Sequence, residues 1–326
     1  MKRKTKWFFV GAGVSAAAAF TLGICAGISK KISNYVVNAA LDREVPKPMR
    51  GTRNPNNSKI PEEIAEKIFE ASERLKTSNC KTVAIYARDA EKLVGHWSHK
   101  EGNKRVIIAM HGWRSSWHKD FGVINDFWKS SDCSVLYAEQ RGQGESGGQY
   151  MGFGMIERYD CLEWIKWVNT QINESMPIYL AGISMGASTV LMTGGFELPD
   201  NVKGIMADCG FTSAHAIWKH VVEDSTRFSY NSREKVVDNL CRKKINIGTQ
   251  HYSTIDSMKE CKIPVLFVHG TDDTFVPIEM TYENYMVCNA PKRLFVVPGA
   301  AHAMSYIIDK AGYEKTVTEF WCEFDK

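Results

Sequence analysis

Several absences narrow what this sequence can encode. It has no internal repeat and no low-complexity tract, and its 24% charged and 44% hydrophobic residues exclude a disordered or collagen-like chain. A mean hydropathy of −0.28 excludes a polytopic membrane protein. Residues 1–35 contain no acid but six basic residues, without which the net charge of +4 becomes −2. The remainder is near neutral, so we expect no nucleic-acid partner.

Metal and cofactor motifs are also missing. The nine cysteines show no C-x-x-C or Cys/His spacing of the kind that binds metals. Gly142-Gln143-Gly144 lacks the lysine and helix of a phosphate-binding loop. Four cysteines lie in apolar helix or strand patterns, where buried free thiols are common: Cys161, Cys209, Cys288 and Cys322. We expect no metal, no cofactor and mostly free thiols, although export would permit disulfides.

The first 35 residues predict a membrane segment. Residues 7–28 form a run of 22 residues without a charge, which as a helix would rise about 33 Å and cross a bilayer. Four basic residues precede the run and two follow it. This bias favours a single-pass anchor in the cell membrane, with the rest of the chain outside the cell. The alternative is a signal peptide cleaved near Ala17-Ala18-Ala19, which would give a secreted protein.

A linker and one folded domain are predicted to follow. Residues 36–61 are assigned to the linker because 42–61 holds four prolines and turn-forming residues without a hydrophobic period. Residues 62–326 are assigned to the domain. It should begin with a helix, since Pro61 occupies a first-turn position and two acids follow it.

The order of elements predicts an α/β fold. Two β-rich stretches, 82–87 and 93–98, are separated by a polar turn and indicate an antiparallel hairpin. Short apolar runs then alternate with helical patterns, and these runs are 105–110, 134–138, 177–181, 202–207, 264–268 and 293–297. Such alternation predicts a mostly parallel sheet flanked by helices. Between the fourth and fifth runs lie 56 residues without a strand, which predict a helical lid insertion at about 212–258.

A nucleophile motif follows the third of these runs. Gly182-Ile183-Ser184-Met185-Gly186 is a G-x-S-x-G sequence placed between a strand and a small-residue helix start. In that setting a sharp turn exposes the Ser184 hydroxyl at the helix N-terminus. We interpret Ser184 as a nucleophile rather than a helix cap.

A serine nucleophile needs a base and a carboxylate. His302 follows the last predicted strand in a Gly/Ala loop, and it is the predicted base. Asp273 follows the preceding strand and is the predicted acid, with Asp272 as the alternative. The order Ser184, Asp273, His302, with gaps of 89 and 29 residues, is that of α/β-hydrolases.

An oxyanion site requires two backbone N–H donors. The N–H of Met185 lies directly after the nucleophile, and the N–H of Trp113 lies in the loop after the run 105–110. We predict that these two form the oxyanion hole. His111 and His269, each at a strand end before glycine, are interpreted as structural turn residues.

These motifs in this order resemble the α/β-hydrolase superfamily, and particularly bacterial esterases, lipases and serine-aminopeptidase-like hydrolases. The resemblance covers roughly residues 80–325 and rests on the following segments: His111-Gly112, 139–146, the serine motif, 208–213, 273–277 and 298–302. The chain departs from the common pattern at Glu139 and Gln143, in a loop that is mainly structural, and at Ala301. The resemblance implies acyl transfer to water through an acyl-enzyme.

Aromatic residues predict the substrate class. Four of them are expected above the carboxyl edge of the sheet, where they would bind an apolar acyl group or an aromatic ester: Trp117, Phe153, Phe211 and Trp218. We therefore expect a serine esterase with a small-molecule ester substrate. The alternatives are an aminopeptidase-like amide hydrolase and a non-enzymatic ligand-binding protein of the same fold.

Overall fold

The structure is a computed structural model that describes residues 29–46, 61–173, 176–225 and 229–325. Among the helices in these ranges, none has both the length and the apolar character needed to cross a bilayer. The predicted membrane run at 7–28 lies outside the described residues, as do residues 47–60 of the predicted linker.

The described chain contains one mixed sheet of eight strands. In chain order the strands are β1 (Lys81–Tyr86), β2 (Lys92–Ser98), β3 (Arg105–Met110), β4 (Cys133–Ala138), β5 (Ile178–Ile183), β6 (Val202–Asp208), β7 (Val265–Gly270) and β8 (Lys292–Val297). Their order across the sheet is β1-β2-β4-β3-β5-β6-β7-β8. β1 and β2 pair antiparallel, and so do β2 and β4. The remaining neighbours are parallel, which confirms the predicted hairpin and parallel sheet.

Helices cover both faces of this sheet. In chain order they are α1 (Ser29–Leu41), α2 (Glu62–Lys76), α3 (Trp117–Phe121), α4 (Asn125–Ser130), α5 (Glu157–Asn169), α6 (Met185–Thr193), α7 (Ala214–Ser225), α8 (Glu234–Ile245), α9 (Thr254–Glu260), α10 (Ile278–Val287), α11 (Ser305–Ile308) and α12 (Lys310–Phe324). Every residue of β4 and β7 is buried, because apolar side chains on both faces contact helices. On α12, Phe320 and Trp321 are buried, and each such side chain stabilises the fold by about 1.5–3 kcal/mol.

The predicted linker requires a correction. Residues 36–41 belong to α1, and Val36, Val37 and Leu41 are buried in the same apolar cluster as Trp113. The apolar side chains of this helix recur at the spacing of one helical face, and they are Ile32, Val36, Val37, Ala40 and Leu41. A helix with such a face is stable when another apolar surface covers it, so this segment packs on the domain instead of spanning open solvent.

The predicted insertion is helical. α7, α8, α9 and a short 3₁₀ turn at Asn231–Arg233 occupy the chain between β6 and β7. α9 is fixed by a capping box, in which Ser253 and Asp256 each bond the backbone N–H of the other. α7 and α8 lie on the side of the sheet's carboxyl edge, and α8 packs against α1.

Candidate active site

Ser184 lies in a sharp turn between β5 and α6. Its backbone has φ +56° and ψ −118°, a conformation that L-residues rarely adopt. The turn is fixed by a hydrogen bond of 2.9 Å from Ser184 N–H to the Asp208 carbonyl. A Cβ atom on Gly186 would overlap the Met110 carbonyl, so only glycine allows α6 to approach β3 this closely. The strained turn therefore holds the Ser184 hydroxyl at the sheet's edge, beside the N-terminus of α6.

Ser184, His302 and Asp273 form a continuous hydrogen-bonded chain. His302 Nδ1 lies 2.6 Å from Asp273 Oδ2, and His302 Nε2 lies 2.9 Å from Ser184 Oγ. Because a carboxylate can only accept, Nδ1 carries the proton and Nε2 accepts the hydrogen of the serine hydroxyl. All three residues are buried. The predicted trio is thus brought together, and this arrangement can move a proton from Ser184 to the imidazole.

Asp273, and not the alternative Asp272, faces the imidazole. Asp272 is exposed, and its carboxylate accepts a hydrogen bond of 3.0 Å from the hydroxyl of the adjacent Thr271. Asp273 Oδ1 accepts two backbone N–H bonds, from Phe275 and Val276, at 2.9 Å each. These two bonds fix the carboxylate plane so that Oδ2 points at His302.

His269 is a second imidazole partner of Asp273. Its Nε2 lies 3.1 Å from Asp273 Oδ2 and 2.9 Å from the Val276 carbonyl, so Nε2 carries a proton. Its Nδ1 lies 2.6 Å from the hydroxyl of Thr281, which can donate to it. The structural role predicted for His269 is therefore specific: it holds the carboxylate. The position of His269 at a strand end, four residues before Asp273, was the sequence signal that could have indicated this role.

Charge and burial shift the pKa of both members of this pair. Burial alone would raise the pKa of Asp273, but the charge of His302 and hydrogen bonds from both histidines hold it well below its usual value. Burial alone would lower the pKa of His302, but the Asp273 carboxylate raises it above the ordinary 6.5. The ionised carboxylate consequently stabilises a protonated His302, which a base must become when it takes a proton.

Asp208 and Cys209 lie next to these residues without joining the chain. Asp208 accepts a hydrogen bond of 3.0 Å from Ser305, and burial raises its pKa to about 6. The thiol of Cys209 and the nearest ligand atoms of Asp273 and His302 lie within 4.8 Å of one another. Burial raises the pKa of the Cys209 thiol well above its usual range, and the other two groups already bond each other. Neutral thiols are poor metal ligands, so this cluster does not favour a metal.

The predicted oxyanion donors belong to two segments that border Ser184. Met185 is the first residue of α6, where backbone N–H groups have no partner within the helix. Trp113 lies in the loop after β3, and its side chain lines the pocket that contains Ser184. Within the described part of the chain, no acceptor takes a hydrogen bond from either backbone N–H. Both donors are therefore free to bind a substrate oxygen.

An apolar pocket of about 450 Å³ opens over the serine. Its walls are Val36, Ala40, Trp113, Phe153, Ser184, Phe211, Ile217, Trp218, Val221 and Phe275. Phe153, Phe211 and Trp218, which the sequence predicts as substrate-binding residues, therefore line this pocket. The ring centroid of Phe153 lies 5.8 Å from that of Phe211 and 5.2 Å from that of Trp218. Phe153 itself has φ +52°, in a loop held by backbone hydrogen bonds to the buried carboxylate of Glu157.

The prediction for Trp117 is wrong. Its indole is stacked on His96 with centroids 4.1 Å apart and packs beside Tyr137, in a cluster on one face of the sheet that shares no residue with the pocket. The reason is that Trp117 begins the short helix α3, which turns the side chain away from the serine. Sequence reasoning also missed the pocket contacts of Val36, Ala40 and Phe275; the helical spacing of 32–41 was a signal for the first two.

The loops bordering the site are braced by polar residues. His111 Nδ1 donates to the Gly112 carbonyl at 2.8 Å, while its Nε2 accepts from Gln140 N–H at 3.1 Å. Glu139 lies 2.9 Å from His96 and also accepts from Glu145 N–H. These contacts support the structural roles assigned to His111 and to the loop 139–146.

One family and several relatives are similar to this chain. Residues 101–240 match the family model described as serine aminopeptidase, S33. The uncharacterized protein YqkD of Bacillus subtilis is 25% identical over 253 residues, which cover 78% of this chain and 82% of that protein. The family match contains Trp113, Ser184 and Met185 and ends before Asp273 and His302.

Similar solved structures come from several organisms. The Pyrococcus furiosus esterase Pf2001 is 23% identical with a TM-score of 0.60, covering 76% of this chain and 94% of that one. Est1E from Butyrivibrio proteoclasticus, with ferulic acid bound, is 19% identical with a TM-score of 0.58, covering 74% and 98%. Acetyl xylan esterase 1 from a Thermoanaerobacterium species is 17% identical with a TM-score of 0.54, covering 81% and 94%. These likenesses establish a shared fold.

Proposed function

We propose that this chain, which resembles the α/β-hydrolase superfamily in its fold and in its family match, is a serine hydrolase cleaving carboxylic esters with an apolar acyl or aromatic group. The observation that carries the proposal is the hydrogen-bonded chain from Ser184 through His302 to Asp273, placed at the base of an apolar pocket. Fold alone does not choose a reaction, so the argument depends on this site.

Acylation begins when Ser184 Oγ attacks the ester carbonyl carbon. His302 Nε2 takes the hydroxyl proton as the bond forms, and Asp273 stabilises the resulting imidazolium. The substrate oxygen becomes negatively charged and accepts hydrogen bonds from the N–H groups of Met185 and Trp113. His302 then gives its proton to the departing alcohol, and an acyl-serine remains.

Deacylation repeats these steps with water. His302 removes a proton from the water molecule that attacks the acyl carbon, and the oxyanion forms at the same two N–H donors. The proton returns to Ser184 Oγ when the acid leaves. The mechanism therefore uses three side chains and two backbone donors.

The pocket favours an ester over a peptide. Apart from Ser184, every residue that lines the described pocket is apolar, so the pocket wall offers no carboxylate for a free amino terminus. An apolar acyl chain or aromatic ring would instead bury its surface there, at about 25 cal/mol per Å². The apolar pocket therefore argues against the aminopeptidase activity that the description of the matching family names.

A fluorophosphonate probe and a panel of p-nitrophenyl esters test the proposal. Wild type should be labelled and should hydrolyse the esters, and Ser184→Ala should abolish labelling and lower kcat by roughly three or more orders of magnitude. Ser130→Ala, at an exposed serine, is the matched control and should change neither the labelling nor kcat. Failure of folded wild type to react would favour a ligand-binding protein, and faster cleavage of aminoacyl p-nitroanilides would favour a peptidase.

We also propose that the segment before α1 anchors the enzyme in the cell membrane with its catalytic domain outside the cell. The support is the uncharged run at 7–28 and the excess of basic residues before it. External protease added to intact cells should remove the domain from an anchored form. A full-length protein protected from protease would contradict this orientation, and a shortened protein in the medium would indicate cleavage.

A further inference from the structure

The guanidinium of Arg114 binds the end of a distant helix. Its Nη2 donates to the carbonyls of Ala39 at 2.9 Å and Asp42 at 2.5 Å, and its Nη1 lies 3.4 Å from the Arg43 carbonyl. Carbonyls at a helix C-terminus lack partners within the helix and carry partial negative charge. One planar side chain thus caps the C-terminal end of α1 with several bonds at once.

Arg114 is also part of the oxyanion loop. It directly follows Trp113, and its backbone has φ +52°, a strained conformation for a residue with a side chain. Such strain persists only where surrounding contacts determine it. The guanidinium carbon lies 5.3 Å from the centre of the Trp113 ring, so the two side chains pack against each other.

The Trp113 side chain reaches the same helix end. Its indole N–H donates to the Ala40 carbonyl at 2.9 Å, while the ring lines the pocket over Ser184. Two consecutive residues of the loop are therefore tied through their side chains to the last turn of α1. The backbone N–H of Trp113, which directly precedes both attachment points along the chain, has no hydrogen-bond acceptor among the described residues.

The helix end is itself fixed to a third part of the domain. The Arg43 guanidinium donates to the carbonyls of Ser146 at 2.5 Å and Gly144 at 2.6 Å, and Arg43 N–H donates to the Gln149 carbonyl at 2.8 Å. Met151 N–H donates to the Leu41 carbonyl at 2.8 Å. These bonds make the end of α1 a rigid support for the oxyanion loop.

We propose that Arg114 is a positioning residue, which acts through the C-terminal end of α1 to aim the Trp113 N–H at the oxyanion. This inference rests on the proposed function, because it takes the Trp113 N–H as an oxyanion donor. A misplacement of about 1 Å can reduce catalysis about 100-fold, and losing one oxyanion donor costs about 10²–10³ in kcat. Segment 29–43 is on this account part of the active site.

Variants of the full-length chain test the proposal with the ester assay. Arg114→Ala should lower kcat about 10- to 100-fold while KM changes less than about threefold, since the pocket walls are kept. Arg114→Lys should recover part of the loss, because an ammonium can bond one or two carbonyls but cannot span the helix end. Arg88→Ala, which removes an exposed arginine paired with Glu163 far from the site, is the control and should leave kcat unchanged.

Two further measurements separate positioning from loss of structure. An alkyl trifluoromethyl ketone forms a tetrahedral adduct with a negative oxygen, so its Ki should rise by the same factor as kcat/KM falls, whereas the Ki of the corresponding primary alcohol, which has no carbonyl or carboxylate oxygen, should not. Arg43→Ala should give a smaller loss in kcat, and the double variant should lose less than the product of the two effects, because both act through one helix end. If Arg114→Ala does not fold, Trp113→Phe replaces it in the test. This variant keeps an aromatic ring, removes the hydrogen bond to Ala40 and should also lower kcat.

The outcomes distinguish this inference from the proposed function. Folded Arg114→Ala with a kcat within threefold of wild type, or with its whole loss in KM, overturns the positioning role while the esterase function stands. An equal rise in the Ki of the ketone and of the alcohol would likewise overturn the positioning role. Absence of ester hydrolysis and of Ser184 labelling in wild type refutes the proposed function, and the positioning role with it.

Discussion

Replacing Asp273 with asparagine should disable the base by reversing its tautomer. Four N–H groups surround the carboxylate: those of Phe275 and Val276 face Oδ1, and those of His269 and His302 face Oδ2. An amide has only one acceptor oxygen, and the backbone donors cannot turn away. The asparagine oxygen will therefore face the backbone, and its NH₂ group will face His302.

His302 must then accept at Nδ1 and carry its proton at Nε2, so it cannot accept the serine proton. The loss expected for this wrong tautomer is about 10⁴-fold in kcat, or about 5 kcal/mol of transition-state stabilisation. The assay is ester hydrolysis with purified Asp273→Asn, alongside a thermal melt to establish folding. Asp272→Asn is the matched control: its side chain is exposed, so kcat should change less than about twofold. A loss below tenfold for Asp273→Asn, or a larger loss for Asp272→Asn, would refute this reasoning.

Three more predictions concern the pH profile, the acyl pocket and the thiols. The acid limb of the kcat/KM profile should have its midpoint above pH 6.5, since only neutral His302 is a base and its pKa is raised; a midpoint below pH 6 would contradict this. Ala40→Phe should fill part of the pocket and lower the octanoate-to-acetate ratio of kcat/KM about tenfold, because displacing about two methylenes costs about 0.8 kcal/mol each. An unchanged ratio would show that Ala40 does not contact the acyl chain. The eight described cysteines should all be alkylated in denatured, unreduced protein, and any disulfide found by peptide mass spectrometry would count against the structure.

The positions of Ser184, Asp273 and His302 were predictable because they depend on local features. Each lies in a short loop after a parallel strand, and such loops meet at the carboxyl edge of the sheet. The strained turn at Ser184 required small neighbours, which the sequence displays. The choice between Asp272 and Asp273 was open, because it depends on which side chain faces inward in a loop that the sequence pattern does not orient.

The contacts of Trp117 and α1 depend on long-range packing. Trp117 follows the same strand as Trp113, which predicts it in the pocket, but four residues along the chain suffice to place it in a cluster on a face of the sheet, away from the pocket. The stretch 36–41 was assigned to a linker by its neighbours, although its apolar residues have helical spacing. Sequence position identified the three residues of the hydrogen-bonded chain, whereas two residues of the pocket wall, Val36 and Ala40, came from a segment about 70 residues before Trp113.

The placement of α1 connects the two halves of the proposed function. The uncharged run at 7–28 precedes α1 directly in the sequence, and α1 supplies Val36 and Ala40 to the pocket wall and carbonyls to the oxyanion loop. If the run anchors the protein, the same short segment joins the membrane to the acyl site. An ester with an apolar chain concentrates in a bilayer, so a pocket built partly from the segment next to the anchor would meet its substrate where that substrate is abundant. Purified enzyme should then hydrolyse a long-chain ester faster from vesicles when residues 1–28 are present, while a soluble short-chain ester should be cleaved equally by both forms. Equal rates on vesicles would separate the anchor from substrate access and leave α1 its role within the site.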